Sequence, residues 1–212
     1  MKEIYLVRHG QTGYNLKGIV QGRGIDTSLN ETGKEQAAAF YKYYKHIPFK
    51  KIYISSLRRT HQSVDLFIKD GIPFEALPGL DEISWGISEG LEHSANNNTR
   101  YYHTISQWSQ GKIDVRIEDG ESPLDVKRRQ QEAFNYILSQ KDEDVVLVCM
   151  HGRAMRILLS WLTDNHLKDM DTFDHDNLCL YKLSYAENRF SIDLYNDRRH
   201  LHHLNGNGKA KL

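Results

Sequence analysis

The sequence predicts an α/β fold with a mostly parallel sheet, and three observations carry that expectation. Short apolar runs alternate with stretches of helical periodicity along the 212 residues. Two of those runs end in the same pair: Ile4-Tyr5-Leu6-Val7 leads into Arg8-His9-Gly10, and Val145-Val146-Leu147-Val148-Cys149-Met150 leads into His151-Gly152. Runs this short, bounded by glycine, read as buried strands rather than helices. A helical pattern follows the second pair, as a strand–helix alternation requires. In open α/β sheets ligand chemistry gathers in the crevice beyond the carboxyl ends of the strands, which is where both His-Gly pairs fall.

In chain order, residues 13–26 carry Gly18, Gly22 and Gly24 and read as a loop over the strand end. Asn30 is placed to cap a helix that begins Glu31-Thr32-Gly33-Lys34. Gly33 in its first turn costs helix propensity, which implies a close backbone approach there. Lys51-Ile52-Tyr53-Ile54-Ser55 is a second strand, and Leu57-Arg58-Arg59-Thr60 opens the next helix, so Arg58 lies at another strand-to-helix junction. Phe74-Glu75-Ala76-Leu77 is a third short strand, leading to Leu80-Asp81-Glu82-Ile83.

From residue 84 to 118 periodicity is poor. Asn96-Asn97-Asn98 marks a turn, while Tyr101, Tyr102 and Trp108 suggest an excursion with its own packing. Ser122-Pro123-Leu124-Asp125 has the residues of a helix start, and Val126, Ala133, Phe134, Ile137 and Leu138 form the stripe that follows. Ala154, Ile157, Leu158, Trp161 and Leu162 repeat at helical spacing, and residues 178–185 and 190–195 read as a closing pair of strands. The expectation is a single domain over residues 1–199 and a mobile polar tail over 200–212.

Twenty-eight basic and 28 acidic residues balance, with a pI near 7.2. Nothing in that balance calls for a nucleic-acid or anionic-membrane partner, so any basic pocket is local. Cys149 and Cys179 lie in apolar runs and read as reduced, buried thiols. No segment has the length of a membrane span, and Met1-Lys2-Glu3 runs directly into the first strand without a signal peptide, which points to the cytoplasm.

On this layout Arg8, His9, Arg58, Glu82 and His151 all stand at or just after strand ends. Arginine pairs bind phosphate bidentately and spread the charge of a phosphoryl group in flight. Cations beside an imidazole keep it neutral and nucleophilic. A carboxylic acid at the rim can protonate a departing alkoxide and then activate water. The residue types suit phosphoryl transfer through a phosphohistidine, with no metal or other cofactor.

The ordered set Arg8-His9-Gly10-Gln11-Thr12, Asn15, Gln21-Gly22, Asp26, Leu29, Gly33 with Gln36-Ala37, Ser55 to Thr60, Glu82, Trp85-Gly86, Glu89-Gly90, Gly120-Glu121-Ser122 and His151-Gly152 resembles the histidine phosphatase superfamily. The likeness spans nearly the whole chain up to about residue 195. It implies the phosphoglycerate mutase-like fold, a three-layer αβα sandwich, with the excursion at 84–118 overhanging the pocket and choosing substrates. It further implies that His9 is the nucleophile and that Arg8, Arg58 and His151 hold the phosphate. Asn15 and the Gly152 amide would assist, Glu82 would be the proton donor, and Gln21 and Gly22 would line the substrate mouth.

A small phosphorylated substrate follows, its identity and the oligomeric state being silent in the sequence. A mutase is the nearest rival, but residues 84–100 lack the Arg- and Tyr-rich segment that mutases carry. A catalytically silent phospho-ligand binder is the other alternative, against which the full set of polar residues argues. A cysteine-dependent phosphatase loop starting at Cys149 fails, because Met155 stands where its arginine belongs and Arg156 is one step late. A phosphate-cradling Gly-rich loop ending in Lys-Ser or Lys-Thr is absent. Asp174-His175-Asp176 and His200, His202 and His203 lack the spacing of a metal site.

Overall fold

In the computed structural model, described over residues 1–91 and 95–204, strand β1 (Lys2–Arg8) occupies the middle of a six-stranded mixed sheet. On one side lie β4 (Val145–Met150), then β2 (Lys51–Ile54), then the short edge strand β3 (Phe74–Ala76), all parallel to β1. On the other side β5 (Leu180–Ala186) and β6 (Arg189–Asp197) close the sheet as an antiparallel pair. Strand β1 alternates its side chains between two cores, as a strand buried on both faces must. Ile4 and Leu6 join Val146 and Val148 against α5 (Pro123–Ser139) and α6 (Gly152–Leu162). Tyr5 and Val7 join Leu147 and Cys149 against α2 (Glu31–Tyr44) and α3 (Arg58–Lys69). The result is the three-layer α/β sandwich the sequence predicts.

Local signals behave as expected at the helix starts. The Asn30 side chain accepts the Gly33 amide at 2.8 Å. Ser122 and Asp125 form a capping box, with Pro123 in the first turn of α5. Gly33 does sit in a close approach: a Cβ there would lie 2.1 Å from the Gln11 carbonyl oxygen. Both cysteines are buried and free.

Three expectations need correction. Residues 13–26 are not all loop, since Gly13–Lys17 form a short helix, α1. Its start is a second capping box, in which Thr12 accepts the Asn15 amide while the Asn15 side chain accepts the Thr12 amide. The 84–118 excursion holds a helix, α4 (Ala95–Ser109), whose opening asparagines read as a turn because asparagine is a poor interior helix former. Trp85 stacks on Trp108 at 5.6 Å between centroids, and the buried Trp108 donates its indole N–H to the Val115 carbonyl at 2.8 Å. Finally, the polar end of the chain does not leave the fold at residue 200. His200 and Leu201 are buried, and His200 packs on Phe40 and Tyr44 with Nε2 against the Leu178 carbonyl. The rest of that tail, residues 205–212, lies outside the described residues.

Gly33→Ala is expected to cost about 1–3 kcal/mol, because its methyl meets backbone rather than a movable side chain. Gly13→Ala, with nothing among the described residues within 4 Å and a helical position, should be neutral or slightly stabilising. Urea denaturation of the pair checks this, and equal effects would contradict it.

Candidate active site

Strand register builds the site. Arg8 pairs with Met150 across the parallel β1–β4 ladder, so the next residues, His9 and His151, leave the sheet side by side at its carboxyl edge. The His9 amide donates to the Met150 carbonyl at 3.0 Å, and the two imidazole centroids stand 5.1 Å apart. Each ring has an assignable tautomer. His9 Nδ1 lies 2.7 Å from the Gly10 carbonyl, an obligate acceptor, so Nδ1 carries the proton and Nε2 keeps a lone pair. His151 Nδ1 accepts from Arg59 Nε at 3.2 Å, so its proton resides on Nε2, which faces Ser55 Oγ at 2.8 Å. Burial, then Arg59 and Arg8, hold His9 well below the usual histidine range. Burial, Arg59 and His9 do the same to His151.

The second arginine of this cluster is Arg59, not Arg58. Arg58 is exposed and binds Asp26 through its amide and Nε. Arg59 is fully buried, with Nη1 on the Ile25 carbonyl at 2.6 Å and Nη2 on the Gly22 carbonyl at 3.3 Å. Burial lowers its pKa to about 10. The misplacement has a readable cause. Along α3 the buried positions are Arg59, Thr60, Ser63, Val64 and Phe67, an i, i+4, i+8 stripe that Arg59 begins and from which Arg58 is excluded. A strand-end rule alone cannot choose between adjacent residues, whereas the helical period can.

Arg8 lies at the end of β1, its Nη1 donating to the His175 carbonyl while its buried Nε makes no hydrogen bond among the described residues. Glu82 is buried and caps the start of α6, with Oε1 accepting the Ala154 amide at 2.8 Å and Oε2 the Arg153 amide at 3.1 Å. Arg129 on α5 secures the approach to it through the Gly79, Asp81 and Glu82 carbonyls and Glu121. The neighbouring carboxylate Asp81 is engaged elsewhere, on Ser56 and Arg23.

The smaller sequence candidates divide. Asn15 reaches the site through Asn177, whose Nδ2 bridges the His9 carbonyl at 3.1 Å and Asn15 Oδ1 at 3.2 Å. Gln21 and Gly22 stand against the Arg59 side chain. With its amide oriented to satisfy both ends, Gln21 donates to the Thr12 and Thr27 hydroxyls and accepts from the Arg59 guanidinium, sharing Nε–H with His151. Gly152 opens α6 where a Cβ would meet the His175 ring at 2.7 Å and Arg8 Nε at 3.3 Å.

His175 and Asn177 were invisible as site residues, because they sit in a turn that only the β5 pairing brings over β1. His175 is pushed down to about 2 by burial and by Arg8, Arg156 and Arg153. Arg153 and Arg156, on the first turns of α6, both reach Asp171 Oδ1 at 2.5 Å. The Arg153 guanidinium lies 5.8 Å from the Trp108 ring centroid and 6.0 Å from that of Trp85, tying the 84–118 excursion to α6. Of the excursion's candidates, Tyr101 packs on Trp85, Tyr102 and His103 are exposed, and Arg116 pairs with Asp125. Burial pushes the Cys149 thiol far up, which removes it as a nucleophile.

Two facing imidazoles, the Arg8 and Arg59 guanidinium groups and the Glu82 carboxyl group thus gather at the carboxyl edge of the sheet, an arrangement of charge able to hold an anion. Comparison with known proteins identifies the family. Residues 4–198 match the model of the histidine phosphatase superfamily (branch 1), and the chain belongs to that family. It is 32% identical to a broad-specificity phosphatase of Saccharomyces cerevisiae over 77% of this chain and 71% of that protein. It is 38% identical to fructose-2,6-bisphosphatase TIGAR B of Danio rerio over 44% of this chain, a match spanning only 39% of that relative's length. Among solved structures, Bacillus stearothermophilus YhfR superposes with a TM-score of 0.85 at 24% identity, covering 95% of this chain and all of that one.

Buried neutral histidines make folding pH-dependent with a definite sign. His9, His151 and His200 have folded pKa values below 6.5, so the unfolded chain binds more protons in acid. Stability is therefore full above 6.5 and falls as pH drops below it, by up to about 1.4 kcal/mol per pH unit for each histidine. His200→Gln should remove about one histidine's share of the slope between pH 6 and 5 in urea titrations. An unchanged slope would contradict the burial of an uncharged ring there.

Proposed function

We propose that this chain hydrolyses small phosphomonoesters through a phosphohistidine on His9. The observation that carries the reading is the pairing of a His9 Nε2 lone pair with His151, Arg8 and Arg59 in one buried cluster. Nε of Arg8, a buried donor with no hydrogen-bond partner among the described residues, is the kind of group that a phosphoryl oxygen satisfies. The names of the relatives, phosphatases of small phosphorylated compounds among them, support the same substrate class.

In the first step Nε2 attacks phosphorus, the N–P bond forms and the P–O ester bond breaks. The departing alkoxide takes a proton from the Glu82 carboxylic acid. In the second step the Glu82 carboxylate takes a proton from water, whose oxygen attacks phosphorus as the N–P bond breaks. Oε2 of Glu82, with a single amide contact, is the oxygen that carries the transferred proton, since Oε1 accepts two amides. Arg8 and Arg59 spread the charge on the three equatorial oxygens, in a site whose donors are already fixed. No step of this scheme calls on a metal ion.

The two adjacent arginines give a sharp assay. Arg59→Ala should lower kcat/KM on an aryl phosphate by about 10²-fold or more, as loss of a fixed charge-stabilising donor does. Arg58→Ala should change it less than threefold. The reverse ranking would overturn the assignment, and a wild-type protein inert on every phosphomonoester of a metabolite panel would overturn the activity.

A further inference from the structure

The second histidine is held by a closed chain of hydroxyl groups that the hydrolytic scheme does not use. Ser55, at the end of β2, is buried, with Oγ 2.8 Å from His151 Nε2, 3.0 Å from Thr60 Oγ1 and 3.1 Å from the Leu57 amide nitrogen. Thr60 Oγ1 lies in turn 2.8 Å from the Leu57 carbonyl oxygen. Hydrogen-bond arithmetic gives this chain one direction. Arg59 Nε is always a donor and faces Nδ1, so Nδ1 accepts and the imidazole proton must sit on Nε2. Nε2–H then donates to Ser55, Ser55 donates to Thr60, and Thr60 donates to the Leu57 carbonyl. Every hydrogen in the chain then has an acceptor. The opposite direction would demand two lone pairs on one neutral imidazole carrying no proton, which does not exist.

We propose that Ser55 is a positioning residue that commits His151 to the Nε2–H tautomer, so that Nδ1 takes up one proton when a phosphoryl dianion binds. The logic is geometric. Ser55 occupies Nε2, so Nδ1 is the nitrogen left to take a proton, and when it does the Arg59 Nε–H that it shares with Gln21 goes wholly to the Gln21 carbonyl oxygen, 2.9 Å away. His9 is the wrong place for that proton, because its Nδ1 is already protonated on Gly10 and its Nε2 must attack.

Charged and titratable groups surround His151. Arg59 from α3, Arg8 and the neutral His9 ring from the end of β1, and Arg129 from α5 act on it, while Glu82 caps α6, the helix that follows it. In the free site the cations dominate and the ring stays neutral. An arriving dianion reverses the local sign, and the added proton gives a donor to the phosphoryl oxygen. The tautomer half of this proposal is independent of the assigned activity, whereas the proton-uptake half rests on the phosphatase reading.

The test has two arms. Two-bond proton–nitrogen correlation spectra of the free wild-type protein at pH 7.5 should show His151 protonated on Nε2 alone. Ser55→Ala should give mixed tautomers and lower kcat by about 10–100-fold while KM moves less than threefold, as loss of an orienting partner does. Ser55→Thr should restore both. A wild-type Nδ1–H tautomer, or a folded Ser55→Ala protein with unchanged tautomer and kcat, would overturn the role of Ser55, and the wild-type spectrum decides if that variant does not fold.

In the second arm, calorimetry of sulfate binding at pH 8 in two buffers of different ionisation enthalpy should report about one proton taken up per dianion by Glu82→Gln protein, in which the acid of the hydrolytic scheme cannot be the acceptor. Sulfate contributes no proton of its own, and inorganic phosphate at the same pH is the second probe. Binding without proton uptake would overturn the coupling. Failure of both anions to bind would instead reject the phosphoryl pocket, leaving the spectra to judge Ser55.

Discussion

The parallel, in-register pairing of β1 with β4 is the constraint on which the site depends. A parallel ladder sends both strands out at the same edge, and the Arg8–Met150 pairing sets His9 beside His151 with no further adjustment. A shift of one residue would turn every side chain of β1 to the other core and separate the two rings. Alternation of Ile4 and Leu6 with Tyr5 and Val7 between two filled cores therefore protects the chemistry as well as the fold. Gly10 and Gly33 complete the arrangement by letting the loop after His9 lie directly on the start of α2.

Electrostatics then decides what the two rings can do. A unit charge about 5 Å from an imidazolium, at an effective dielectric near 20, disfavours it by about 3 kcal/mol. Burial acts most strongly, with Arg59 and Arg8 adding to it, so both histidines are neutral at physiological pH. Hydrogen-bond partners then give the two rings opposite tautomers. The Gly10 carbonyl leaves His9 a lone pair on Nε2, and Arg59 with Ser55 leaves His151 one on Nδ1. One sequence pattern, strand–His–Gly, thus supplies two chemically different groups. Arg59 joins them to the loop at Gly22 and Ile25, so the same guanidinium organises the His151 face and the site's border.

Much of this was legible in the sequence wherever a signal was local. Paired strand–His–Gly junctions, the Asn30 and Ser122 caps and the misfit of Gly33 all rest on contacts within a few residues or on a simple period. Arg58 shows the limit of a positional rule. Only the spacing of Arg59, Ser63 and Phe67 reveals which arginine faces inward, and Arg58 instead finds Asp26 at the surface. Helix α4 was hidden because its Trp108 and Tyr101 pack on Trp85 and Arg153, partners set by tertiary structure rather than by its own pattern. His175 and Asn177 were hidden for a related reason, since a turn gains meaning only when β5 lays it across β1. The burial of His200 is likewise a tertiary effect, a polar residue in a polar tail that fits against Phe40 and Tyr44.

The most direct measurement is capture of the covalent intermediate. Wild-type protein turning over a phosphomonoester, quenched in alkali and mapped by mass spectrometry, should carry a base-stable, acid-labile phosphoryl group on His9. A phosphoryl group found on another residue, or turnover with none trapped at any quench time, would contradict the account.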